Sequence, residues 1–132
     1  MSRIFGLVGM ALMVGCEASQ DVVVNEVGVG WVELYNASDE SADVSGWSIG
    51  FEDQVTDVSG VIPARSVREV ALPLEWRIGE VEVTLVVEDV GRSYRDTVTV
   101  PVFDTTSAYG LVPDGAPNWQ IVDASPGDLN AP

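Results

Sequence analysis

Val81-Glu82-Val83-Thr84-Leu85-Val86-Val87-Glu88 alternates apolar and polar side chains, with Val81, Val83, Leu85 and Val87 on one side. A period of two belongs to a half-buried β-strand, because successive side chains on a strand point to opposite faces. The run that follows repeats the pattern, with Tyr94, Asp96, Val98, Val100 and Val102 alternating with Ser93, Arg95, Thr97, Thr99 and Pro101. Asp89-Val90-Gly91 lies between them and reads as a hairpin connection, with Gly91 available for positive φ. Working outward, residues 21–27 and 30–36 form a second pair of strand-like runs joined through Gly28-Val29-Gly30. Residues 47–51, 55–58, 66–72 and 119–122 complete the set, with Ser45-Gly46, Ser59-Gly60 and Asp114-Gly115 as turn signals. After residue 16 no segment sustains an apolar repeat of about 3.6 residues, so no helix is expected. The class is all-β, one domain, with the strand spacing of a sandwich.

Composition removes several chemistries. The 132 residues carry 21 Asp plus Glu against six basic residues, all Arg, for a net charge of −15. There is no His, hence no Ser-His-Asp or Cys-His nucleophile and no imidazole ligand. There is no Lys, hence no Schiff base and no P-loop lysine. A single cysteine, Cys16, closes no intrachain disulfide and builds no thiolate zinc site. A polyphosphate would meet a strongly anionic surface, so no nucleic-acid partner is expected. Arg65, Arg68 and Arg77 lie close together in sequence, but Glu69, Glu75 and Glu80 are interleaved with or flank them.

The N-terminus reads as an address. Arg3 supplies a positive n-region, and residues 4–14 form an apolar stretch of signal-peptide length, short of the ~20 residues a membrane span needs. Met13-Val14-Gly15-Cys16 resembles the lipobox of bacterial lipoproteins, in which cleavage precedes the cysteine and lipid is attached to its sulfur. The usual pattern has Leu where Met13 stands and a smaller residue where Val14 stands. An ordinary signal peptide cut elsewhere, or an apolar anchor with an incidental cysteine, are the alternatives. The division expected is a signal peptide over 1–15, an acylated Cys16 with a short linker over 16–20, and a domain over 21–132. Two or more acyl chains suffice for stable anchoring, so the partner expected first is a membrane. The location implied is the bacterial cell envelope, and the outer membrane of a two-membrane cell because Glu17 rather than Asp follows the cysteine.

A second resemblance covers nearly the whole of that domain. Val24-Asn25-Glu26-Val27, Trp31-Val32-Glu33-Leu34-Tyr35-Asn36 and Val44-Ser45-Gly46-Trp47-Ser48-Ile49 resemble, in order and spacing, the opening of a lamin tail domain. Ile62-Pro63-Ala64 is similar to that family's I-P-A-G turn, and Gly79-Glu80 to the G-E before its long hairpin. Tyr109-Gly110, Pro113-Asp114-Gly115, Trp119 and Ser125-Pro126-Gly127-Asp128-Leu129-Asn130 resemble its closing motifs. The resemblance implies an immunoglobulin-like β-sandwich with Trp31 and Trp47 as core positions. It transfers no function, because sandwiches host many.

Two departures stand out. Leu111 occupies the position of a usual Arg, and Arg65 that of a common Gly. If the family's Arg pairs with a strand carboxylate such as Glu33, this chain lacks the cation. Glu33 then needs backbone donors, solvent or another Arg, since a buried unpaired carboxylate is costly.

Candidate sites are few. Glu52-Asp53 with Asp57, and Asp104 with Asp114, offer oxygen ligands of the kind Ca²⁺ takes, but none fits an EF-hand loop, and solvated surface charge is the preferred reading. Trp76 and Trp119 would bind a glycan or a partner if exposed, but core or edge packing is the preferred reading. Pro126-Gly127 and Asn130 are expected to fix the last turn. The leading expectation is a monomeric, non-catalytic, lipid-anchored envelope module without cofactor, binding an envelope protein or polysaccharide or acting structurally. The alternatives are an accessory domain to a secreted hydrolase or nuclease, and a Ca-dependent glycan or protein binder.

Overall fold

The computed structural model describes residues 21–129. Cys16, the leader and Asn130 lie outside the described residues. Among the described residues eleven strands follow in order: β1 (Val22–Gly28), β2 (Trp31–Asn36), β3 (Ala42–Asp43), β4 (Ser48–Phe51), β5 (Gln54–Asp57), β6 (Val61–Ile62), β7 (Val67–Ala71), β8 (Val83–Glu88), β9 (Arg95–Val100), β10 (Ser107–Leu111) and β11 (Trp119–Asp123). A five-stranded sheet runs β11-β10-β1-β2-β7, a four-stranded sheet β9-β8-β4-β5, and β3 pairs with β6. Every pairing between these strands is antiparallel. The chain is the all-β sandwich expected from its period of two, folded as one domain on one core.

The β8–β9 hairpin shows how the pattern becomes a core. Val83, Leu85 and Val87 are buried from β8, and Val98 and Val100 from β9, against Val22, Val24, Val27, Val32 and Leu34 of the facing sheet. The strands are shorter than the alternation suggests. β9 stops before Pro101, which has no N–H for a ladder, and Val102 is 61% exposed. The hairpin turn also differs from expectation. Arg92, not Gly91, takes the left-handed conformation (φ 57°), and Asp89 Oδ1 accepts the Ser93 and Tyr94 amides. Asp96 falls in the apolar register because its Oδ2 accepts the Val24 N–H at 3.0 Å, joining the edge of one sheet to the middle of the other.

Two further placements, strand β10 and Trp31, depart from the sequence reading, while Trp76 takes the packing role preferred for it. Strand β10 was not expected, since Ala108 and Gly110 supply no large alternating side chains. Trp76 is 1% exposed, buried by a single 3-10 turn (Leu74–Trp76), with its Nε1 donating to Gln54 Oε1 at 2.7 Å. Trp47 is buried as expected, but Trp31 is not a core residue. Val32 and Leu34 take the core side of β2, so Trp31 faces outward and its ring lies across Gly28, its cross-strand partner.

Candidate functional site

The outward face of the five-stranded sheet collects the polar residues that the fold does not expose. The register between β1 and β2 shifts at Asn25, a bulge that lets both Asn25 and Glu26 face away from the core. Glu26 then stands opposite Glu33, and Glu33 opposite Glu69 of β7, so three carboxylates occupy one row across three adjacent strands. Gly110 flanks Glu26 on the other side and adds no side chain to the row. Glu26 and Glu33 are both 0% exposed, whereas Glu69 is exposed.

Two turns cover the row. In the first, Ala116 N–H donates to Pro113 O at 3.0 Å, and Gly115 takes φ 74° with its α-carbon against the Tyr35 ring. In the second, Asp128 N–H donates to Ser125 O at 3.0 Å around Pro126 and Gly127 (φ 80°). Pro at the second position and Gly at positive φ in the third is what a type II turn requires. Pro126-Gly127 thus fixes the turn as expected.

The turns are fastened by the carboxylates. Glu26 accepts the Ser125 N–H (2.8 Å) on one oxygen and the Ser125 hydroxyl (2.7 Å) on the other. Glu33 accepts the Gly127 N–H at 2.9 Å and Asn25 Nδ2 at 3.1 Å. Asn25 joins the two turns, because its Nδ2 also donates to Asp114 Oδ1 at 2.7 Å and its Oδ1 accepts the Gly115 N–H at 2.9 Å.

Among the described residues, the ion pairs are Arg65 with Asp39 and Arg77 with Glu80, both exposed. Neither touches Glu26 or Glu33. Glu33 therefore takes the first of the options left by Leu111, backbone and amide donors. Alternation along β10 also puts Leu111 on the face opposite that of Gly110 and the Glu26–Glu33 row, so a cation at 111 would start from the wrong side. Burial without a cation pushes Glu33 up to about 7, opposed by the Asn25 amide and reinforced by the charge of Glu26. Burial likewise raises Glu26, with the Ser125 hydroxyl and amide opposing it.

The other candidates fall elsewhere. Asp104 accepts from Thr106 and Ser107 and fixes its own turn, and Asp114 is held on Asn25. Glu52, Asp53 and Asp57 lie exposed in the β4–β5 hairpin. Among the described residues no three acidic groups are grouped to hold a metal ion. Trp119 stacks on Tyr109 at 4.8 Å between ring centres, packed against the core's edge. A shallow depression of about 350 Å³ beside the second turn is lined by Arg65, Ser66, Val67, Gly127, Asp128 and Leu129. Asn25, Glu26 and Ser125 were not singled out as a site by residue type. Their only sequence signal is membership in the N-E and S-P-G motifs.

Compared with protein-family models, curated proteins and solved structures, the chain has no match.

Proposed function

We propose that this chain is a non-catalytic, lipid-anchored module of the bacterial cell envelope, built on a lamin-tail-like sandwich. One observation carries the reading of the domain. Residues from four separate motifs that carry the resemblance meet in one hydrogen-bonded cluster: Asn25 and Glu26, Glu33, Asp114 and Gly115, and Ser125 and Gly127. Their use there is to close the fold, and the paired carboxylates at its centre are sealed from any substrate. Two carboxyls that flanked a scissile bond would have to face an open cleft. The anchor rests on the apolar run ending in Gly15-Cys16 and on the absence of any second cysteine.

With β1 starting at Val22, the linker after Cys16 is short, and the domain would sit against the membrane, its acidic surface turned away from anionic headgroups. Partners are then envelope proteins or polysaccharides, met as a monomer, and not nucleic acid. The test is expression of the full chain and a Cys16→Ser variant with a radiolabelled or alkynyl fatty acid. Label in the parent and its loss in the variant, with transfer from the membrane to a soluble or uncleaved pool, is the expected result. A cleaved variant that stays in the membrane fraction would overturn the anchor. Affinity capture of envelope components by the parent then identifies the partner.

A further inference from the structure

The buried carboxylate pair does more than close the fold, because what it fastens is the short segment that follows β11. Glu26 and Glu33 belong to neighbouring strands of the rigid sheet, and each accepts a backbone N–H from 124–129, at Ser125 and Gly127. That segment follows the edge strand β11, and among the described residues its other backbone hydrogen bonds include Ala124 N–H to Thr106 O and that of its own turn. The groups facing the pair are all acidic or neutral. They are Asp114 from the first turn, Glu69 from β7, Asp128 from the segment itself, and the neutral Asn25, Tyr35 and Ser125. The cation beside the segment is Arg65, which pairs with Asp39, contacts Tyr35 and lines the depression next to Gly127 and Asp128. Among the described residues no arginine acts on Glu26 or Glu33 themselves, and Arg68 lies against Gly60.

We propose that segment 124–129 is a proton-dependent latch, which seals the outward face while the Glu26–Glu33 pair retains a proton and lifts when both carboxylates ionise. Two buried like charges in cross-strand register repel, and neither has a cation to offset its loss of water. Lifting the segment lets water reach both, so the open form gains relative to the closed one as the second proton leaves. The protons belong to the pair as a unit, which titrates in two macroscopic steps. The Ser125 hydroxyl is suited to the hinge of this exchange, since it can donate to a carboxylate or accept from a carboxylic acid. Opening would convert a sealed face into an exposed acidic strip of Glu26, Glu33 and Glu69. The inference does not depend on lipid at Cys16.

The test is hydrogen–deuterium exchange of the full chain in detergent, followed from about pH 6 to 8.5 and corrected for the intrinsic rise in exchange rate. Peptides covering 124–129 should lose protection by tenfold or more across that range, while the β8–β9 hairpin keeps its own. Glu33→Gln should remove the extra loss. Equal responses of segment and hairpin, or an unchanged response in the variant, would overturn the latch. A carboxyl ¹³C titration of the parent chain is the second measurement, independent of whether the variant folds. One glutamate should titrate near neutrality, and every glutamate titrating below about pH 5 would also overturn it.

Discussion

Glu26 and Glu33 face each other across β1 and β2 with no solvent exposure, and each is satisfied by backbone or amide donors and not by a cation. Such a pair makes stability depend on pH in a definite direction. A folded-state value raised above the ordinary carboxylate value contributes stability that is fully present below about 4.5 and is lost as pH rises through about 7. At 1.36 kcal/mol per unit, Glu33 accounts for at most ~3 kcal/mol between those limits. Asp43, Asp89 and Asp104 work the other way. The Ser45 amide lowers the first, the Ser93 hydroxyl and neighbouring amides lower the second against its burial, and the Thr106 hydroxyl lowers the third. Their contribution is present above the usual carboxylate range and lost on acidification. Thermal melts should therefore peak near pH 5, and Tm should fall from pH 5.5 to 8.5. Running them in ~0.5 M salt, where the Debye length is only ~4 Å, removes most surface repulsion. A Tm that is flat or higher at pH 8.5 would contradict the assignment.

Asn25 is the residue on which both covering turns depend. Asn25→Ala leaves the Gly115 N–H without its acceptor and takes a donor from both Glu33 and Asp114. An unsatisfied buried group costs ~1–3 kcal/mol, so the variant should lose ~2–4 kcal/mol in urea unfolding. Asn25→Asp should be worse at pH 8 than at pH 5.5, because it adds a further carboxylate to the same cluster. A loss below ~1 kcal/mol for Asn25→Ala would show that water replaces the amide without penalty.

The β8–β9 hairpin supplies a simpler check on the core. Leu85 is 0% exposed and Val55 65% exposed, although both lie in strands of the same sheet. Leu85→Ala should cost ~2–5 kcal/mol, as buried leucine truncations do. Val55→Ala should stay within ~0.5 kcal/mol. Denaturant titrations that gave the two variants similar midpoints would refute the assigned faces.

How much of this is visible in the chain alone depends on whether one local rule decides the outcome. Val83, Leu85 and Val87 obey strict alternation, so their face follows from the sequence. The Asn25 bulge does not announce itself. It breaks the alternation of β1 by one residue, and only pairing with β2 reveals that Asn25 and Glu26 share a face. Trp31 misleads for a related reason, since its size suggests the core while the parity of Val32 and Leu34 sends it outward over Gly28. Trp76 is buried by a turn of three residues, too short to carry a period. For the site, Ser125-Pro126-Gly127 reads locally as a turn, whereas Leu111 is no guide to Glu33, because residue 111 lies on the opposite face of the sheet. That the turn is what satisfies Glu33 is a contact across 94 positions of sequence, which no local pattern encodes.

Arg65 tests whether the departure from the I-P-A-G pattern is carried by backbone strain. It takes φ 57°, the left-handed region in which glycine is at no disadvantage and a residue with a Cβ pays ~1–2 kcal/mol. Its guanidinium holds Asp39 at 2.9 Å, but both side chains are largely exposed, and such pairs are weak and screened by salt. Arg65→Gly relieves the strain and loses the pair, while the greater freedom of glycine in the unfolded chain offsets ~0.5–1 kcal/mol of the gain. The variant should therefore be neutral or up to ~1 kcal/mol more stable than the parent. Arg65→Val keeps the strain, adds a β-branch that the left-handed region disfavours, and loses the same pair. It should fall below the parent by more than ~1 kcal/mol. Urea unfolding of the two variants side by side separates backbone from charge. Equal destabilisation of both would assign the role of residue 65 to its ion pair with Asp39 and remove the conformational explanation.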